Sequence, residues 1–488
     1  MTLRPAPNSA PHGALAAALV GIAGLQLALI GTHDYFVDEW QALQIAVQSP
    51  GWDALLEALR YEGHPPLWYA LLRGLAAVVG PGHALAGASV VCALATIGFV
   101  GFASRLPLWA KVAVLLSEPI LFEYGTVSRG YSLCVALVFA TLACWDRRRW
   151  IWLPLALLPL VDFLGGLMAC GLIVMLLGEK GWRTLWWPGV VAFLACGAFA
   201  AWTVIPAPDF VSVYHPLPPF DNAVRWTREM AAVTLPVQWN GGPTWDVPWT
   251  TPLTPALGLA FLVLAYDQTR TRPVERVVAM GFPLALLAFM MAVHTLAIRH
   301  LMLAGVMLVA VLWRQAARGE RLRLPARIWL LAGAICGLAT AGFALTRPFD
   351  TAPVAARTIH AKGLADERWL SFPPQHAQGV AALTGIGFEG LGHGCTEAFI
   401  RWNYAHGIES PEILRDAIAA EAARGGRFYL LSQYLPAAGG RSRLIAKVPP
   451  GLDGKVYYLF AVPGRLATPG APAPACVPGL RALPPLLR

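Results

Sequence analysis

Charge is what this sequence most lacks. Asp, Glu, Lys and Arg together make up 13% of its 488 residues, against 57% hydrophobic residues and a mean hydropathy of +0.55. Soluble domains carry roughly a quarter charged residues, so an ordinary soluble chain is excluded. There is no CxxC pair and no Cys/His spacing suited to zinc. No repeat of solenoid period is visible. An A-x-A cleavage site is also missing after the apolar residues 14–30, which therefore read as an uncleaved first span. The net charge of +9 is not gathered into one basic face. Its clusters stand between apolar runs, a pattern that signals membrane orientation and no nucleic-acid partner.

What is present is a series of apolar runs, each of a length to cross or nearly cross ~30 Å of hydrocarbon. They cover 14–31, 84–103, 107–122, 128–144, 185–205, 251–266, 277–296, 300–313 and 328–346, with a longer run at 151–178 broken at Asp162 and Gly165-Gly166. Six cysteines (Cys92, Cys134, Cys144, Cys170, Cys196 and Cys336) fall in these runs as small packing residues. From 347 to 488 the composition turns globular. Ser410-Pro411-Glu412 opens a helix that Gly425-Gly426 ends, and "RFYLLSQY", "SRLIAKV" and "KVYYLFAV" read as strands. The tail is thus a small α/β domain without a catalytic motif. It holds Cys395 and Cys476, which can pair if it faces an oxidising compartment.

Five connecting loops (105–111, 147–149, 180–183, 270–276 and 314–327) hold 15 Lys and Arg, whereas the others hold only Arg60, Arg73, Arg129, Arg225, Arg228 and Arg299. The positive-inside rule places the five in the cytoplasm. Parity then makes 151–178 an out-and-back pair turning near Asp162. It also demotes 65–80 to an interfacial helix, leaving eleven spans, with the N-terminus inside and the C-terminus outside. The outer face receives loop 32–83, loop 206–250 and the tail. In loop 32–83, Trp52, Leu55, Leu56 and Leu59 form one helical stripe opposite Asp53, Glu57 and Arg60.

Carboxylates near hydrocarbon are costly and need a reason. Asp38 and Glu39 open a helix just after the first span, where they serve either as solvated helix-start acids or as a general base at the membrane surface. The loop 117–132 adds Glu118, Glu123, Arg129 and Tyr131 on the same side, and Arg299-His300 follows between two later spans, with His294 one turn before. A lone arginine at a helix end ordinarily snorkels. These arginines lie opposite the positive-inside clusters, and guanidinium can hold a phosphate in two places at once. Asp162 reads as a turn residue; Tyr214-His215 and Trp239-Asn240 read as lid or acceptor contacts. A base, phosphate-holding cations and lipid together suit displacement of a lipid phosphate by an external hydroxyl.

An apolar first helix followed by Asp38-Glu39 and then His64-Pro65-Pro66-Leu67-Trp68-Tyr69 resembles the GT-C superfamily of membrane glycosyltransferases. The branch it is most similar to holds the protein O-mannosyltransferases and the lipid A aminoarabinose transferases. Ser128-Arg129-Gly130-Tyr131 resembles that branch's Arg-x-Tyr segment, and Arg299-His300-Leu301 its late Arg-Tyr/His segment. The resemblance implies an inverting transferase of cell-envelope glycosylation, in a bacterial inner membrane with a periplasmic tail. Its donor is a polyprenyl-phosphate sugar and its acceptor a glycan, lipid or protein. Asp38 takes the place of the family's base, Glu39 stands beside it, and the second acid falls on Glu118 or Glu123. His64, Arg129, Tyr131, Arg299 and His300 become contacts to donor and phosphate. Val127 stands where the family often has an acid, which leaves the second acid and the use of a divalent metal open. The rival classes are a flippase of lipid-linked sugars and a non-catalytic assembly or sensor protein. The spans carry few mid-depth charges and no two-half repeat, and loop 32–83 would have no purpose in a sensor.

Overall fold

The structure is a computed structural model of the chain and describes residues 12–211, 217–236, 253–392, 396, 399–403, 411–436 and 442–464. Tyr214-His215, Trp239-Asn240, Cys395 and Cys476 lie outside the described residues.

The protein is a polytopic helical membrane protein with a small C-terminal sheet domain. After α1 (His12–Thr32), the polar stretch folds as α2 (Val37–Gln48), α3 (Trp52–Glu62) and α4 (Leu67–Val79). Next come α5 (Pro81–Gly98), prolonged by a π turn at Phe99–Ala103, and α6 (Leu108–Leu116), followed by a π turn at Pro119–Glu123. The chain continues through α7 (Gly130–Ala143), α8 (Trp152–Val161), α9 (Phe163–Lys180), α10 (Trp187–Thr203), α11 (Pro219–Thr234), α12 (Leu253–Thr269) and α13 (Pro273–Ala292). The single turn α14 (Ile298–Leu301) leads into α15 (Leu303–Ala317), and α16 (Leu324–Thr346) closes the bundle.

The eleven expected crossings correspond to α1, α5 to α10, α12, α13, the joined α14–α15 and α16. Six of them are long and apolar enough to span a membrane: α1, α5 with its π turn, α9, α13, α14–α15 and α16. The other five run from 9 residues in α6 to 17 in α10 and α12. Helix α4 is apolar but only 13 residues long, and it packs with α2 and α5 around Trp40, Leu43, Leu55, Leu59, Trp68 and Leu72. In α3, Leu55 and Leu59 are the buried members of the expected stripe; Trp52 stays exposed beneath the Arg73 guanidinium.

The run 151–178 is a hairpin. Asp162 is the N-cap of α9, its Oδ1 accepting from Leu164 N–H at 2.8 Å. The far end of α9 returns to the start of the pair, where Lys180 Nζ donates to Trp145 O at 2.7 Å. The turn is tight enough that a Cβ on Gly165 would stand 2.5 Å from Leu158 O. At the end of the bundle away from Asp162, the basic clusters form an ion-pair network. Arg314 and Arg318 share Glu179, Arg318 also meets Glu275 and Glu320, Arg272 meets Glu320, and Arg323 meets Asp267. The two ends of the bundle are thus chemically distinct, as the loop charges imply.

The tail is a three-layer sandwich. Its sheet runs β2 (Phe388–Gly390), β1 (Trp369–Phe372), β3 (Phe428–Ser432), β5 (Tyr457–Val462), β4 (Arg443–Val448). The β2, β1 and β3 strands are parallel; β5 is antiparallel to both β3 and β4. Alternation sends Trp369, Tyr429, Leu431 and Leu459 toward α17 (Ala352–Ala361) and α18 (Gln378–Thr384). It sends Leu370, Phe428, Leu430 and Phe460 toward α19 (Pro411–Ala423). The tail docks on α2. Gln41 Nε2 donates to Ile400 O at 2.7 Å, its Oε1 accepts from Ile400 N–H at 3.0 Å, and Gln378 donates to the same oxygen. A second fastening is the cluster of Phe36, Phe122, Val127, Phe349 and Leu452, where each buried phenyl contributes about 1.5–3 kcal/mol relative to exposure.

The hairpin predicts a sharp cost for volume at its turn. Gly165→Ala should lower stability by about 1–3 kcal/mol through overpacking, measured as a fall in Tm in detergent. An unchanged Tm would mean that α8 and α9 do not approach this closely.

Candidate active site

The site begins with the start of α2. Neighbouring residues on a helix point about 100° apart, so Asp38 and Glu39 face different surroundings. Glu39 is fully buried. Its Oε2 accepts from Phe36 N–H at 3.0 Å, its Oε1 accepts from Ser128 N–H at 2.6 Å, and His33 Nε2 lies 2.9 Å from Oε2. One carboxylate therefore ties the end of α1, the start of α2 and the 127–129 turn together. Of the two acids, Glu39 is held by three partners within the fold, whereas Asp38 is the more open.

The clamp brings Arg129 to Asp38. Arg129 Nη1 stands 2.9 Å from Asp38 Oδ2, and Arg299 Nη2, from the α14 turn, stands 3.4 Å from the same oxygen. The carboxylate side chain is 37% exposed while the two guanidiniums are 12% and 18% exposed, so the acid is the reachable member. Among the described residues, Asp38 Oδ1 accepts no hydrogen bond. Burial pushes the Asp38 pKa up, but Arg129 and Arg299 outweigh it and hold the carboxyl below its ordinary range. Burial likewise works against the Arg129 charge, and Asp38, Tyr131 and Glu123 more than restore it.

Around this core the other expected residues divide. The Arg129 guanidinium lies 5.7 Å from the centroids of both Phe36 and Tyr131. Tyr131 meets the His300 ring edge to face at 5.3 Å. His300 accepts from Ala297 N–H through Nδ1 at 2.9 Å, so it caps its own helical turn. Tyr124 donates its hydroxyl proton to Arg299 O and fixes that turn from below. Glu118 precedes the π turn and Glu123 ends it; both are buried, and Glu123 is within electrostatic reach of Arg129 and Arg299. His64, which precedes α4, pairs through Nδ1 with Asp162 Oδ2 at 3.0 Å. Asp162 thus caps α9 with one oxygen and holds His64 with the other, a second task that its reading as a turn residue missed.

Three further groups were not anticipated. Glu62, at the end of α3, accepts from Gln41 Nε2 at 2.7 Å; burial pushes its pKa up to about 7, against the pull of Gln41 and His64. Its place two residues before His64 was the only available signal. The tail contributes Lys455 and His376, whose sequence distance from Asp38 conceals them. No described group of three His, Cys, Asp or Glu side chains could hold a metal ion. The nearby acids and histidines pair off instead, His33 with Glu39 and His64 with Asp162, and this donor set does not fit a divalent cation.

Because Glu39 serves three buried partners, Glu39→Ala should destabilise the protein by about 2–3 kcal/mol, leaving buried donors unmet. The check is thermal unfolding, with loss of stability expected and selective loss of activity at full stability counting against it.

No family model and no curated protein sequence matches the chain. Among solved structures, it is similar to ArnT from Cupriavidus metallidurans, crystallised with undecaprenyl phosphate bound. Sequence identity is 15% and the TM-score 0.48, over 94% of this chain and 100% of that one.

Proposed function

We propose that this protein is a membrane glycosyltransferase that moves a sugar from a polyprenyl-phosphate-linked donor to an acceptor hydroxyl on a glycan, lipid or protein. The observation that carries the reading is the convergence of Arg129 and Arg299 on one oxygen of Asp38, at the end of the bundle opposite the basic network. A carboxylate and two guanidiniums are the parts that displacement of a phosphate leaving group requires.

In the reaction, the acceptor hydroxyl attacks the anomeric carbon from the face opposite the phosphate, and Asp38 Oδ1 takes its proton. The anomeric C–O bond to phosphate breaks with inversion, and both bonding electrons leave with the polyprenyl phosphate oxygen. Arg129 and Arg299 stabilise the charge that develops there, the largest single contribution in reactions of this kind. In the free protein they hold the Asp38 pKa down, which makes it a weak base. A donor phosphate competes for the same guanidiniums and frees the carboxylate, so donor binding and base strength rise together. His64, oriented by Asp162, and Tyr131 complete the wall on which the sugar phosphate sits. Glu62 is a second titratable acid beside His64.

Release of free polyprenyl phosphate from polyprenyl-phosphate sugars, in detergent or nanodiscs, tests the reading. Asp38→Asn should slow release by at least ~10²-fold at unchanged Tm. Equal rates for wild type and variant would remove Asp38 from the chemistry, and tight binding without release from any donor would favour a transporter. The pH dependence has a definite sign. A carboxyl whose folded pKa is depressed stays ionised, and stabilising, until the pH falls through that pKa. The acid limb of kcat/KM should therefore lie below the usual carboxylate range, and Arg299→Gln should move it to higher pH.

A further inference from the structure

The bundle does not build this site alone. The connection from β4 to β5 is pinned against the start of the tail, with Leu452 N–H donating to Pro348 O at 3.0 Å and Asp453 N–H to Phe349 O at 2.9 Å. Phe349 and Leu452 pack with Phe36, two residues before Asp38. This anchoring carries Lys455 to the site: its Nζ stands 5.3 Å from the centroid of the Phe36 ring, the ring whose centroid lies 5.7 Å from the Arg129 guanidinium. Gly454, at φ +78°, turns the chain just before it.

Lys455 has little local employment. Among the described residues its one ion pair is with Asp453 Oδ2, at 3.7 Å, longer than a hydrogen bond. That oxygen is buried and has no hydrogen-bond partner, and among the described residues nothing accepts a hydrogen bond from Lys455 Nζ. A second tail residue, His376 of the turn Pro374–Ala377, has a buried Nδ1 that has no hydrogen-bond partner among the described residues. Burial lowers the basicity of His376, Lys455 lowers it further, and Asp38 opposes both. The tail therefore brings one ammonium and one imidazole within electrostatic reach of the acid that both arginines hold.

We propose that Lys455 is a third cation of the phosphate-binding site, supplied by the tail domain, so that the site is complete only when the tail is docked. This rests on the transferase reading given above. The ligand chemistry is a phosphate ester in the membrane interface, carried either by the polyprenyl donor or by a phosphorylated acceptor. An ammonium on a four-carbon stem suits it because it acts as a point charge that reaches a phosphate without fixed geometry. Its present partner, Asp453, lies beside Asp350, whose carboxyl burial and Asp453 push up to about 8. That pair can take up a proton when Lys455 swings to a ligand.

The test is binding of polyprenyl phosphate to the full-length protein in nanodiscs, for wild type, Lys455→Met, Lys455→Arg and Arg299→Gln, with Tm measured on each. The expected result is affinity at least ~10-fold weaker in Lys455→Met, largely restored in Lys455→Arg, at closely similar Tm. Unchanged affinity in Lys455→Met, with Arg299→Gln weakened and the KM for phosphorylated acceptors also unchanged in Lys455→Met, would overturn the role of the tail and leave the transferase reading standing. If wild type itself does not bind polyprenyl phosphate, both fall. Should Lys455→Met fold poorly, the double variant Lys455→Met/Asp453→Asn decides. Recovered Tm with weak binding upholds the proposal, and recovered Tm with wild-type binding reduces Lys455 to a counter-ion of Asp453. The donor and acceptor sources separate in turnover: a donor phosphate raises KM for the polyprenyl-phosphate sugar, an acceptor phosphate raises KM only for phosphorylated acceptors.

Discussion

The structure hinges on one fully buried carboxylate. Glu39 gathers the last turn of α1, the first turn of α2 and the turn before α7 into one hydrogen-bonded knot. Each partner alone is a modest interaction, but a buried charge is tolerable only when all are present. That requirement makes the knot cooperative. Its product is the placement of Arg129 against Asp38, two segments far apart in sequence brought within hydrogen-bonding distance at the edge of the membrane.

The same economy recurs around the site. Asp162 caps a helix and orients His64; Tyr124 holds the α14 turn by its carbonyl and thereby sets the position of Arg299; Gln41 serves Glu62 and the tail at once. Asp162 and Gln41 each answer to more than one neighbour. A change at one is felt at the next, which is why this face behaves as a unit although it is assembled from α2, α4, α7, α9, α14 and the tail.

Much of the fold could be read from the chain because the solvent imposes it. Apolar length and the asymmetry of basic loops were enough to split 151–178 at Asp162, and α8 and α9 have that form. In the tail, β3, β4, β5 and α19 announced themselves through periodicity and helix-end residues, whereas β1 and β2 did not. Residues 369–372 are buried on both faces, so no alternation marks them, and 388–390 are too few for a pattern to register. The site was legible in its charged members but not in their division of labour. Sequence gives Asp38 and Glu39 equal standing; the helical twist that turns one inward is visible only in three dimensions. Lys455 and His376 gave no sign, because what brings them to Asp38 is the docking of one folded unit on another.

The shortness of α8 has a consequence for the lipid. Ten residues advance roughly 15 Å, about half of the ~30 Å of hydrocarbon that a full crossing spans. Its partner α9, 18 residues long, advances roughly 27 Å from Asp162 to the basic end, and residues 145–151 make up the remainder on the α8 side, so the Asp162 tip stops a few ångströms short of full depth. A bilayer meets such a shortfall by thinning. The membrane around this protein is thus expected to thin slightly on the side of the Asp162 tip.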